Sequence, residues 1–150
     1  MEKIKNRKDM KCVKLILLCV VLFFTSACTQ SPEPINYGKD ACAHCKMTIV
    51  DNRFGAELVT AKGKIYKFDD IICLRHFEKE HPEQKENRIF VSDYRKEHRP
   101  MLEGKDVIFL RHGFFRSPMN GQYAAFASRE EAQALADSLK VAPVSLKDVN

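Results

Sequence analysis

Six consecutive residues carry most of the chemistry this chain can offer: Cys42-Ala43-His44-Cys45-Lys46-Met47. Two thiols, an imidazole and a thioether form a soft donor set, which prefers Cu(I) to hard cations. A CxxC pair by itself has three readings: a disulfide, a thiol–disulfide redox couple, or half of a metal site. If Cys45 opens a strand, Cys45, Met47 and Ile49 share one face, and the Cys45 and Met47 sulfurs converge on one ion. The plainer reading of Met47 is core filling beside Ile49.

Cys73 and His76 are the second element, spaced i and i+3 so that they share a helix face. A helix dipole lowers the pKa of a thiol in the first turn, which is expected of Cys73. Joined to the first pair, they spell CxxC…CxxH, a Cys3His zinc pattern. The plainer readings are a small buried Cys73 beside Leu74 and Phe77, and a His76 with no ligand role. Met119 is the third element, set between Pro118 and Asn120-Gly121 in a strong turn signal. Its thioether carries no charge and needs no deprotonation, which suits reversible Cu(I) binding; the plainer reading is local packing. His44 and His112 are lesser candidates, and His98, among Arg95, Lys96, Glu97 and Arg99, reads as a solvated segment. The sequence has no Ser/His/Asp arrangement, no phosphate loop, and no close carboxylate pair beyond Asp69-Asp70. A non-enzymatic protein is expected.

The N-terminus places these donors. Lys3, Lys5, Arg7, Lys8, Lys11 and Lys14 form a basic region, and Leu15 to Phe24 is an apolar run of roughly half the length of a membrane-spanning helix. Thr25-Ser26-Ala27-Cys28 then resembles a lipobox, with Cys28 as the acylated mature N-terminus. Removal of residues 1–27 takes away six basic and two acidic residues and leaves 19 and 18, a net charge near +1. The basic pI belongs to the signal, so electrostatics offer nothing for nucleic acid. Cys12 and Cys19 leave with the signal and Cys28 carries lipid. Cys42, Cys45 and Cys73 remain, an odd number that cannot all pair within one chain. No acidic residue follows Cys28 directly, which by analogy with bacterial lipoprotein sorting points to the outer membrane, on its periplasmic side.

The elements that must position the donors follow. Residues 28–40 read as the lipidated cysteine and a flexible tether, broken by Pro32, Pro34 and Gly38. The twelve residues after Cys28 reach roughly 40 Å when extended. A domain of residues 41–150 is long enough for a real core. Residues 54–61 and 64–68 read as a hairpin turning at Lys62-Gly63. Asp69 or Asp70 caps a helix to about Glu80, ended by His81-Pro82. Residues 88–92 form a further strand. Residues 106–111 and 122–127 are again strands, Ser128 and Glu131 make a capping box for a helix with Ala132, Leu135, Ala136 and Leu139 on its apolar stripe, and 141–146 is a final strand. The expected fold is α+β, two tandem ββαβ halves of about residues 41–94 and 95–150 in one domain.

The string from Asp40 to Asp51, with Cys42, Cys45 and Met47, resembles the N-terminal motif of the NosL family, copper-binding lipoproteins that help to assemble nitrous oxide reductase. Further matches are Arg53-Phe54, Phe68-Asp69-Asp70-Ile71-Ile72-Cys73-Leu74, Ser117-Pro118-Met119 and Ala125-Phe126-Ala127-Ser128. The resemblance spans about residues 40–140. It implies a tandem ββαβ fold, related also to part of organomercurial lyase. It implies Cu(I) binding outside the cytoplasm and supply of that copper to the reductase, so the expected partners are apo nitrous oxide reductase and its membrane maturation machinery. Cys45, Met47 and Met119 match the family's sulfur positions, with Cys42 as a second ligand or exchange position. Two departures stand out: the family usually has glycine where this chain has Lys46 and Asn120. Two alternatives compete with a Cu(I) carrier. A zinc module would use Cys42, Cys45, Cys73 and His76 and leave Met119 silent. A thiol–disulfide lipoprotein would use Cys42 and Cys45 alone, against which a strand at Cys45 argues, because thioredoxin-like motifs sit at a helix start.

Overall fold

The computed structural model describes residues 31–82, 87–96 and 100–150. The signal segment, Cys28 and His98 lie outside the described residues. The chain forms β1 (Ala56–Val59), β2 (Ile65–Phe68), α1 (Ile71–Glu80), β3 (Arg88–Val91), β4 (Leu102–Glu103), a 3-10 turn (Gly104–Asp106), β5 (Ile108–Arg111), β6 (Tyr123–Phe126), α2 (Arg129–Leu139) and a last 3-10 turn (Leu146–Asp148).

The first half is ββαβ, as expected. β1 runs antiparallel between β2 and β3, and every residue of β1 is buried. The β1–β2 hairpin closes at Gly63, whose φ of 81° is a conformation glycine adopts without steric cost. Thr60 Oγ1 accepts from the Lys64 N–H at 3.0 Å and tightens the same turn. β2 runs straight into the Asp70 cap of α1, whose carboxylate satisfies two orphan N–H groups of the first turn. Ile71, Cys73, Leu74 and Phe77 form the buried face of α1. Phe77 packs on Tyr66 and Phe68 of β2, with ring centroids 4.7 and 5.3 Å apart.

The second half has the same order with a reduced end. β5 and β6 form a separate two-stranded sheet, and α2 begins at Ser128, whose hydroxyl accepts from the Glu131 N–H. The return limb of the expected capping box is diverted: the Glu131 carboxylate faces Lys96 at 3.8 Å instead. The expected strand over 141–146 shrinks to one bridge between Val144 and Phe109, bonded in both directions at 2.8 and 2.9 Å. Directly after Val144 the chain enters the last 3-10 turn, closed by the Ser145–Asp148 capping box, so the ladder does not grow forward. β4, which the pattern did not suggest, adds to the first sheet beside β3, where Arg88 pairs with Glu103 at 3.1 Å.

The β5–β6 hairpin divides the interior. Phe109, Tyr123 and Ala125 face a core shared with Leu58, Phe68, Leu74, Cys42 and Cys73. The alternate residues Leu110, Ala124 and Phe126 face a second core with Phe54, Phe115, Ala132 and Ala136. Alternation along a strand covered on both sides accounts for the fully buried run of β6. The end of the expected tether belongs to the domain: Ile35 is buried in the first core, and the Glu33 N–H donates to Glu57 Oε2 at 3.1 Å.

Candidate metal centre

Cys42 and Cys45 sit on a tight loop against β2. The Ala43 N–H donates to the Lys67 carbonyl at 2.8 Å, fastening the loop to the sheet, and the Cys42 N–H donates to the Met47 carbonyl at 2.8 Å. The Lys46 N–H returns to the Cys42 carbonyl at 3.1 Å, and Lys46 itself takes the left-handed conformation, φ 66°. That conformation breaks strand alternation between Cys45 and Met47. The expectation that Cys45, Met47 and Ile49 share a strand face is therefore not met: Ile49 is fully buried, whereas Met47 is 49% exposed.

Cys73 enters from α1. The Sγ atoms of Cys42, Cys45 and Cys73 all lie within 4.8 Å of one another, and all three are free thiols. Cys42 and Cys73 are 1% and 0% exposed, and Cys45 opens the cluster to solvent. Three convergent sulfurs of graded burial fit a soft monovalent ion and offer little to a hard cation.

The three thiols are not electrostatically equivalent. The Cys73 thiol, by donating a hydrogen bond, holds Cys42 down to about 5, with help from the N–H groups of Asp69, Cys45 and His44 and against the opposing effect of burial. Cys73 is pushed strongly upward, first by that same shared proton, then by burial and by the Cys42 and Asp70 charges. Burial likewise raises Cys45. The expected acidification of Cys73 by its helix dipole is overturned: its position next to an ionised Cys42 outweighs the dipole. Asp69 lies beside this thiolate, and burial, then the Cys42 charge, raises its carboxyl to about 6. Its Oδ1 has no hydrogen-bond partner among the described residues.

Met119 is brought to the same end of α1. Its N–H donates to Asp70 Oδ2 at 3.1 Å, and its half-buried side chain packs against the core that holds the thiols. The loop approaches α1 so closely that a Cβ on Gly121 would stand 2.2 Å from Ile72 Cγ1, so glycine is required there. Asn120, one residue earlier, is left-handed with φ 57°. The two positions at which this chain departs from the usual glycine, Lys46 and Asn120, are thus both left-handed.

His44 and His76 do not complete a Cys3His arrangement, since the group of donors within 4.8 Å contains the three thiols alone. Their rings meet each other instead, centroids 5.3 Å apart, and His44 Nδ1 lies 3.2 Å from Glu80 Oε2. His112 is remote in role: its Nδ1 accepts from the Phe114 N–H and shapes the β5–β6 loop. Sequence reasoning missed Asp69 as the carboxyl beside the cluster and Glu80 as the partner of His44. It read Asp70 only as a cap and did not foresee the hold on Met119.

A small α+β domain with three free thiols gathered at one helix N-terminus defines a candidate soft-metal-binding module. The NosL family profile matches residues 35–150, and the chain belongs to the NosL family. The crystal structure of the copper chaperone NosL from Shewanella denitrificans has a similar fold, with a TM-score of 0.66 at 17% identity over 81% of this chain and 96% of that one. No curated protein matches the chain.

Proposed function

We propose that this protein is a lipid-anchored, extracytoplasmic Cu(I) carrier that supplies copper for the maturation of nitrous oxide reductase. The observation that carries the copper reading is the convergence of Cys42, Cys45 and Cys73 Sγ atoms within 4.8 Å. Cys42 supplies a thiolate at neutral pH, Cys45 is the solvent-facing second ligand, and Met119 lends a neutral thioether from a loop tied to the same helix cap. Met47, half exposed, would offer a further thioether to the ion or during its exchange with an incoming partner. Few ligands and one open side allow transfer by ligand exchange. Family membership supports the copper-carrier role; apo nitrous oxide reductase and its membrane machinery are the proposed partners, and Cys28 the proposed lipid attachment on the periplasmic side of the outer membrane.

The thiol–disulfide reading is disfavoured by burial. A reactive cysteine has a lowered pKa and an accessible sulfur, whereas the thiol with the lowered pKa here, Cys42, is almost fully enclosed. The test is an anaerobic titration with Cu(I) against a Cu(I)-specific chelator, with Zn2+ as the comparison ion. Tight Cu(I) binding weakened by Cys45→Ser and Met119→Ser is expected. Preferential Zn2+ binding indifferent to Met119 would overturn the carrier reading.

A further inference from the structure

Cys73 is the nucleophile of the cluster that Cu(I) carriage does not use. It is a free thiol, fully buried on α1, and its Sγ stands within 4.8 Å of both Cys42 Sγ and Cys45 Sγ. We propose that the three thiols together form a binding site for a trivalent thiophilic metalloid, with arsenous acid as its simplest form, and that Cys73 supplies the third bond.

Charge selects valence in this pocket. Asp69 and Asp70 are buried against the cluster; the Cys42 charge acts on Asp69, and the Asp70 charge acts on Cys73. Three thiolates on a monovalent ion leave two negative charges beside these carboxylates, and repulsion in a poorly solvated interior disfavours that state. Three thiolates on a trivalent centre leave none. Sulfurs that can offer Cu(I) only part of their number can therefore all bond to As(III), which is soft as they are.

Size and shape agree. Trivalent arsenic keeps a lone pair and takes three sulfurs at the base of a pyramid. With bonds close to the roughly 2.3 Å of a zinc thiolate and angles of roughly 100°, neighbouring sulfurs lie roughly 3.5 Å apart. That is inside the 4.8 Å limit that encloses the three Sγ atoms. Three sulfurs fill the coordination, so neither His44 nor His76 is required.

Cys45, the solvent-facing thiol, is the entry. Arsenous acid condenses first with it, then with the enclosed Cys42 and Cys73. Three As–O bonds break, three As–S bonds form and three waters leave. As(OH)3 supplies the three hydroxyls; the thiols supply the three hydrogens, one coming from solvent where Cys42 is ionised. Arsenic stays trivalent, and nothing is oxidised or reduced. As(III) and Cu(I) both need Cys42 and Cys45, so each excludes the other. The arsenic site rests on the geometry of the cluster and not on the copper-carrier reading.

The test uses the full chain carrying Cys12→Ser, Cys19→Ser and Cys28→Ser, so that its thiols are Cys42, Cys45 and Cys73. Sodium arsenite is titrated anaerobically, and the adduct is weighed by native mass spectrometry. The expected adduct of this parent chain has one arsenic, no retained hydroxyl and no thiol left for alkylation. Adding Cys73→Ser should weaken arsenite by about a hundredfold or more and leave an adduct that keeps one As–OH. Its Cu(I) binding should stay within a fewfold of the parent, which also reports that the variant is folded. If it loses Cu(I) as well, the mass of the parent adduct decides. No adduct, a parent adduct that retains a hydroxyl, or a Cys73→Ser chain that takes arsenite as tightly as the parent would each overturn the proposal. A parent that takes arsenic through three thiols but binds no Cu(I), or binds Cu(I) alongside the arsenic, would support it and count against the copper reading alone.

Discussion

Asp70 and Met119, 49 residues apart, are joined by a hydrogen bond from the Met119 N–H to Asp70 Oδ2 at 3.1 Å. The other carboxylate oxygen caps α1, accepting from the Ile72 and Cys73 N–H groups at 3.0 Å each. One side chain thus fixes both the helix that carries a thiol and the loop that carries a thioether. Asp70→Asn keeps an oxygen for the cap but turns an N–H towards Met119. Met119→Leu keeps the N–H and removes the sulfur. Each is expected to lower Cu(I) affinity by about tenfold, and the double variant should lose little more, because both act through one ligand. Asp70→Ala should also cost about 1 kcal/mol of stability through the lost cap. Chelator competition and thermal unfolding measure the two effects. Additive losses in the double variant would show that Asp70 does not act through Met119.

The unequal thiols set the pH dependence of copper binding. At neutral pH Cys42 is already ionised, while burial raises Cys45 and the proton shared with Cys42 raises Cys73 further. The two carboxylates nearby, Asp69 and Asp70, make a third thiolate in this pocket unfavourable. Cu(I) is therefore expected to displace the Cys45 proton and leave that of Cys73. About one proton should be released per ion near pH 7, and log affinity should rise by about one per pH unit between about pH 6 and 8. Below about 5 the slope steepens as Cys42 protonates. Cys73→Ser retains a hydroxyl donor to Cys42 and should bind Cu(I) within a fewfold of wild type, whereas Cys73→Ala should raise the Cys42 pKa and weaken binding. Release of two protons, with Cys73→Ser as damaging as Cys45→Ser, would identify a three-thiolate site.

The local parts of this fold were legible because local chemistry dictates them. Asp70 and Ser128 cap their helices as their side chains predict, and Gly63 turns its hairpin. β4 has two residues and makes sense only beside β3, so no periodicity could announce it. The last strand shrinks to a single pairing with the distant Phe109 because the chain turns at Ser145–Asp148 directly after Val144. For the site, the motif singled out Cys42 and Cys45, but the strand expected to open at Cys45 is a turn, and alternation fails at Lys46. A left-handed lysine leaves no mark in a hydrophobic pattern. The pKa order of the thiols depends on residues 42 and 73 meeting, which spacing alone does not reveal.

Lys46 itself is testable. A non-glycine residue with φ 66° carries a steric cost that glycine avoids. Part of that gain is offset by the greater unfolded-state freedom of glycine and by loss of the Lys46 Nζ contact to the Ala43 carbonyl. Lys46→Gly is expected to be neutral to stabilising by about 0.5 kcal/mol, and Lys46→Val destabilising by about 1–2 kcal/mol. Asn120→Gly should gain less, because asparagine tolerates this region. Urea unfolding of the three variants ranks them. A Lys46→Val protein as stable as wild type would show that the loop is not held in this conformation.

Glu57, in the middle of the central strand β1, should make a contribution to stability that grows as pH falls. Its Oε2 accepts from the Glu33 N–H, while Oε1 is buried with no partner among the described residues. Burial raises its carboxyl to about 7, with the Glu33 and Asp40 charges adding to the rise and Lys67 opposing it. A carboxyl in the unfolded chain titrates near 4.3. Between these values the folded state binds more protons than the unfolded state, so stability falls as pH rises through about 7 and is regained on acidification. Asp69, raised to about 6, acts in the same direction at lower pH. Glu57→Gln keeps an acceptor for Glu33 and has nothing to ionise. Relative to wild type it is expected to be more stabilising near pH 8 than near pH 5 by about 2–3 kcal/mol. Because Cys42, held down to about 5, acts in the opposite direction over the same window in both proteins, the readout is the gap between the urea midpoints of Glu57→Gln and wild type at the two pH values, and a gap that does not widen from pH 5 to pH 8 would mean that Glu57 is ionised in its buried position.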